Sequence, residues 1–268
     1  MKMSAALLMR NINGELIITN IFMMINMKSS THNGLTCNLD EFSHVYTVKE
    51  TGQVLTSGTT FIGQFFPKFD APKVAGEIAE KRGTTPAELL KEWKEKGDRT
   101  SHEGTLVHLY SEYIFNDEID HAPYTIENDV VGKKTVQMLM AIDTLRGKGF
   151  EVVGVEKVIF STGLGVAGMI DLLLKNSAGQ VVLLDWKTNE TLNMDNPFQF
   201  GLGPLSHLED SNLIRYTLQL SLYQYILITE GYFPAEQEFK RLIVHLMEDD
   251  NKPYFCKYLE SEIESMLI

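Results

Sequence analysis

Four residues in the middle of the chain have the types and spacing needed to hydrolyse a phosphodiester: Glu156, Asp171, Asp185 and Lys187. That reaction at neutral pH needs an activated water and relief of the charge that builds on phosphate, and carboxylates holding Mg²⁺ or Mn²⁺ beside an ammonium group supply both. Side chains alternate along a strand, so in Leu184-Asp185-Trp186-Lys187 the acid and the amine share one face and Trp186 takes the other. A symmetric hairpin about Ser177-Ala178-Gly179 sets Asp171 across from Asp185, and one about loop 162–165 sets Glu156 across from Asp171. Like charges opposed on a sheet repel, so a row of three carboxylates calls for a cation. The alternative is a slipped register, which leaves some of these acids facing solvent or paired with Lys157 or Lys175.

The elements that must position these residues are readable from pattern. Residues 152–160, 166–174 and 181–186 are short, β-branched apolar runs separated by Gly-containing turns, which predicts a three-stranded meander. Upstream, residues 42–60 alternate on both sides of Glu50-Thr51-Gly52 and predict a hairpin. Thr85-Pro86-Ala87-Glu88 combines a cap, a first-turn Pro and a capping-box Glu, predicting a helix that stops at Gly97. Further helices are expected over 103–115, 129–146 and 213–229, and a strand over 241–247. The order of helices, antiparallel strands, helix and strand is that of an α/β or α+β fold with a mixed sheet.

The pattern resembles the RecB-like branch of the PD-(D/E)XK nuclease superfamily, in which an acid on one strand precedes an acid-x-Lys on the next. Here those are Gly168-Met169-Ile170-Asp171 and Asp185-Trp186-Lys187-Thr188. Gly104-Thr105-Leu106-Val107-His108 with Glu112 is similar to the family's helical motif, and Gln219-Leu220-Ser221-Leu222-Tyr223 to its QxxxY helix. Each pair is four apart and shares a helix face. The resemblance covers roughly Asp40 to the C-terminus and extends to phage-type members and mitochondrial genome maintenance exonucleases. It implies a restriction-endonuclease-like core, a central mixed sheet flanked by helices, with an N-terminal hairpin and helical additions. It implies that His108, Asp171, Asp185 and the Trp186 main-chain carbonyl bind Mg²⁺ or Mn²⁺, with Glu156 as a second-site or water-mediated ligand. Lys187 would orient or deprotonate the attacking water, Gln219 and Tyr223 would position DNA or brace Lys187, and Glu112 would support the His108 helix.

With 268 residues and 44% hydrophobic composition the chain can bury a large core, and one globular unit is expected. The expected division is an irregular extension over 1–37 and a nuclease domain over 38–268, with helical additions at about 61–128 and the catalytic core at about 129–268. The net charge of −12 argues against a broad basic coat for nucleic acid but is compatible with a local groove beside a cation site. Residues 73–99 carry seven Lys or Arg against six Asp or Glu, the least acidic long region and the expected strand-guiding wall. Trp93, Phe65, Phe66 and Phe69 are expected for the most part to pack in the core, with stacking on the bases of a single strand the alternative.

Two cysteines without CxxC spacing exclude a thiolate zinc site or an iron–sulfur cluster built from this chain alone, and point to a reducing cytoplasm. No apolar run of membrane-spanning length occurs, so no membrane partner is expected. The Met-rich first 27 residues read as an irregular extension or an upstream start, with a mitochondrial transit peptide as the alternative. The favoured function is an exonuclease acting on single-stranded or end-containing DNA in replication, recombination or repair. Without a GxxxxGK[ST] loop, unwinding would fall to a helicase or another replication or recombination partner. A structure- or sequence-specific endonuclease and a non-catalytic DNA-binding module are the competing readings.

Overall fold

The computed structural model describes residues 28–118 and 129–268, together with the backbone of two paired strands, β1 (Leu7–Arg10) and β2 (Leu16–Thr19). Within the expected irregular extension, residues 7–10 and 16–19 are paired strands and 28–37 are strand and turn, and the remainder lies outside the described residues. β3 (Lys28–His32) and β4 (Leu35–Asp40) form a hairpin whose turn residues Asn33 and Gly34 have φ of 49° and 78°. Asn-Gly tolerates positive φ at both central positions, which matches the twist of the flanking strands. β5 (Val45–Val48) and β6 (Val54–Ser57) form the hairpin expected around Gly52. Residues 58–60 are helical instead of extended, because Ser57 caps α1 (Gly58–Gly63) by accepting from the Thr60 N–H.

α2 (Ala71–Arg82) follows, and then α3 (Pro86–Phe115), which opens with the capping box of Thr85 and Glu88. The predicted stop at Gly97 does not occur. A mid-helix glycine costs about 1 kcal/mol relative to alanine, and the helix beyond it buries Val107, Tyr110 and Ser111, so packing outweighs propensity. The two predicted helices over 86–96 and 103–115 are one element. α4 (Val130–Arg146), capped by Asp129, lies where it was expected.

β7 (Phe150–Ser161), β8 (Val166–Asn176) and β9 (Val181–Lys187) are the antiparallel meander. α5 (Asn212–Thr229), β10 (Phe239–Leu246), β11 (Asn251–Cys256) and α6 (Glu260–Met266) complete the chain. β10 runs parallel to β9 and antiparallel to β11, so the sheet is mixed. One buried cluster joins α5 and α6 to Leu173, Leu183 and Ile243; another joins α3 and α4 to Leu172, Leu184 and Trp186. This helix–sheet–helix layering is the α/β arrangement expected. No helix among the described residues is long and apolar enough to cross a membrane.

One departure from a regular sheet matters. β7 lines one edge of β8, leaving the other edge to be shared: β6 pairs in parallel with Val166 and Ala167, and β9 pairs with Leu172 to Lys175. The sheet forks over Gly168-Met169-Ile170-Asp171.

Candidate metal-dependent active site

The registers expected from the two hairpins are those observed. Leu172 faces Leu184, so Asp171 arrives beside Asp185; Lys157 faces Ile170 and Val155 faces Leu172, so Glu156 arrives beside Asp171. Glu156 itself has φ of 46°. A left-handed non-glycine residue within a strand is uncommon and turns its side chain out of regular alternation.

α3 brings His108 over this row. Its Nδ1 lies 3.5 Å from Asp171 Oδ2 and 3.6 Å from Glu156 Oε1. The ligand atoms of His108, Glu156 and Asp171 all lie within 4.8 Å of one another. Glu156 Oε1 is buried and accepts no well-aligned hydrogen bond, facing only His108 Nδ1 at 3.6 Å, which leaves it able to face a cation. An imidazole and two carboxylates suit Mg²⁺ or Mn²⁺. Glu156, read from sequence as a subsidiary ligand, thus stands in the tightest group, while Asp185 lies outside it.

Asp185 is engaged by Lys187, whose Nζ is 2.6 Å from Asp185 Oδ2. Gln219 Nε2 donates to Asp185 Oδ1 at 3.4 Å and to the Tyr223 hydroxyl at 3.2 Å, so the QxxxY helix does meet the acid-x-Lys strand. Lys187 also sits 4.3 Å over the Tyr216 ring. Trp186 points the other way, its indole N–H donating to Ser111 of α3. Two glycines permit these approaches. A Cβ on Gly168 would lie 2.2 Å from the Tyr223 ring, and one on Gly104 would lie 2.9 Å from Thr188 Oγ1.

Charge is strongly coupled across the site. Burial disfavours the His108 imidazolium, but the carboxylates of Asp171 and Glu156 outweigh it and push His108 up to about 9. Burial, then the nearby Asp185 and Glu156 carboxylates, push Asp171 up to about 7 against the pull of His108. Glu156 goes the other way: burial opposes its charge, yet His108 and Lys28 keep it ionised below the usual range. Burial also works against the Lys187 ammonium, but Asp185 and Asp171 raise it, so Lys187 holds its proton.

Sequence reasoning missed several supports. Lys28 of β3 pairs with Glu156, Glu41 and Glu112, which makes Glu112 an ion-pair partner of the N-terminal hairpin. Asn33-Gly34, a strong hairpin signal, could have revealed the strand that carries it. Lys134 Nζ donates to the Thr188 carbonyl at 2.8 Å, and His245 Nε2 lies 2.6 Å from the Asn189 carbonyl, pinning the chain just past Lys187. No spacing announces such main-chain contacts. In the expected strand-guiding wall, Lys91, Lys94 and Arg99 pair with Glu95, Asp98 and Glu103. Of the four aromatics considered for base stacking, Phe66 is buried and Phe69 is exposed beside Trp93.

No curated protein matches the chain. A solved structure from Eubacterium rectale, described as a candidate exonuclease, is similar at 14% identity and a TM-score of 0.37, with 62% of each chain covered. The chain thus spans less than two thirds of that protein. The model of the PD-(D/E)XK nuclease superfamily matches residues 74–265, a stretch that contains His108, Glu156, Asp171, Asp185, Lys187, Gln219 and Tyr223. The chain belongs to the PD-(D/E)XK nuclease superfamily.

Proposed function

We propose that this nuclease is a Mg²⁺- or Mn²⁺-dependent exonuclease that hydrolyses DNA from single-stranded or otherwise accessible ends. The observation that carries the reading is the convergence of His108, Glu156 and Asp171 within 4.8 Å, one strand away from the Asp185–Lys187 pair. His108, Asp171 and Glu156 would hold the cation, with Asp185 and the Trp186 carbonyl completing its ligands. When bound, the cation supplies charge neutralisation at the phosphate and a lowered pKa for the attacking water.

The protein groups divide the remaining work. Water must lose a proton as its oxygen attacks phosphorus, and the departing sugar oxygen must gain one. Lys187 holds its proton, which favours orienting the water and stabilising developing charge over acting as the base. Gln219 and Tyr223 fix Asp185 from the α5 side. Placement in the RecB-like branch rests on the His108 helix and the Gln219–Tyr223 pair, and that placement favours end-dependent cleavage. It suits a role in replication, recombination or repair in the cytoplasm, alongside a separate helicase.

Linear and circular DNA of one sequence, incubated with the protein and Mn²⁺, test the mode of attack. Loss of linear strands with circles spared is the expected result, and cutting of closed circles would establish an endonuclease in its place.

A further inference from the structure

We propose that the Lys28 ammonium stands where a second divalent cation would otherwise sit, so that this chain binds one cation at its active site; the inference rests on the cation site proposed above. Lys28 opens β3, and its Nζ lies 2.9 Å from Glu112 Oε2, 3.1 Å from Glu156 Oε2 and 3.1 Å from Glu41 Oε1. The three acids come from three places: α3, β7 and the turn that follows β4. Three carboxylates converging on one point form an all-oxygen donor set of the kind hard divalent cations take. An ammonium group has three N–H donors, one for each carboxylate.

The second observation is how Glu156 divides its two oxygens. Oε2 faces Lys28, whereas Oε1 accepts no hydrogen bond and lies 3.6 Å from His108 Nδ1. The side chain is only 3% exposed, so bulk water does not reach that oxygen and His108 is its nearest partner. Glu156 therefore bridges two positions, one filled by the ammonium and one shaped for a cation between His108 and Asp171. Its backbone has a φ of 46°, a left-handed conformation that persists where surrounding contacts over-determine it. Lys28 neutralises the far side of the cluster and holds Glu156 in place, but an ammonium cannot act as a Lewis acid on a phosphate oxygen. It is a positioning residue, and it ties the N-terminal hairpin to the site.

Counting bound Mn²⁺ by electron paramagnetic resonance on the full chain tests this without reference to cleavage. One ion is expected in the wild type and in Lys28→Arg. Lys28→Ala should bind two, the second more weakly. Lys28→Gln, which keeps a donor toward the carboxylates, should also gain the second ion and stands in if the alanine variant does not fold. Two ions in the wild type, or one ion in the folded alanine or glutamine variant, would overturn the inference and leave the cation site intact. No bound ion in the wild type would overturn the cation site, and this inference with it.

Discussion

The Trp186 main-chain N–H donates to Asp171 Oδ2 at 2.7 Å, at the point where the β8–β9 ladder ends. The last paired residues are Leu172 and Leu184, so the next backbone donor of β9 serves a carboxylate in place of a neighbouring strand. The opening of the sheet and the placement of the acid are thus one feature. Asp171 is oriented by the strand that carries Asp185 and Lys187, which ties the cluster of His108, Glu156 and Asp171 to the Lys187 ammonium.

Asp171→Asn keeps an acceptor for Trp186 but removes the charge. Mn²⁺ affinity should fall by more than the roughly 10- to 100-fold typical of a residue that only braces a ligand. The cation-free variant should nevertheless melt higher than the wild type at about pH 8, because a buried carboxylate crowded by Glu156 and Asp185 has been neutralised. Calorimetry reads both quantities, and unchanged affinity would remove Asp171 from the ligand set.

Lys187→Met should separate binding from chemistry. Loss of a positioned donor to developing charge lowers turnover by roughly 10²- to 10³-fold. Mn²⁺ should still bind, since Asp185 loses an ion-pair partner and is freed for the cation. A variant that cleaves at the wild-type rate would contradict the role of Lys187.

The stability of the cation-free protein should fall as pH rises. Asp171 is raised from 3.8 to about 7 and His108 from 6.5 to about 9, so the folded chain binds both protons more tightly than the unfolded chain. Their contributions are complete at low pH and are lost through those two windows as the protons leave. Glu156 is lowered, and its contribution is lost only as pH falls below its ordinary 4.5. The melting temperature in chelator should therefore decline from about pH 5 to about pH 9, with Asp171→Asn flattening the lower part. A rise across that interval would contradict the assignment.

Gly168→Ala should damage the site through Tyr223. The added methyl would lie 2.2 Å from the ring and 2.8 Å from the hydroxyl, so the tyrosine must move or the strand must yield. Overpacking of this kind costs about 1–3 kcal/mol. Denaturant unfolding should show that loss, and Tyr223→Leu in the same chain should recover part of it. No recovery would mean that the strain lies elsewhere.

The row of Glu156, Asp171 and Asp185 was legible because two tight turns fix its register. Gly165 and Gly179, with φ of 68° and 85°, let both hairpins close symmetrically, and from there alternation sets Asp185 and Lys187 on the face toward α5. His108 and the Gln219–Tyr223 pair were legible as motifs, since their spacing on helices is local. The full run of α3 was not, because a glycine signals a stop only when the packing beyond it is weak. Lys28 was not legible either: 128 residues separate it from Glu156, and a long-range ion pair leaves no mark on local pattern. The place of Glu156 in the tightest cluster was hidden in the same way, for its left-handed backbone is a tertiary effect.

Cleavage of end-labelled single-stranded and duplex DNA, in Mn²⁺ and in chelator, by the wild type and by Lys187→Ala tests the central claim most directly. Cation-dependent release of labelled products by the wild type, lost in chelator and reduced at least about 100-fold in the variant, is the predicted result. Absence of cation-dependent cleavage by a folded wild-type chain, or full activity in Lys187→Ala, would contradict the account.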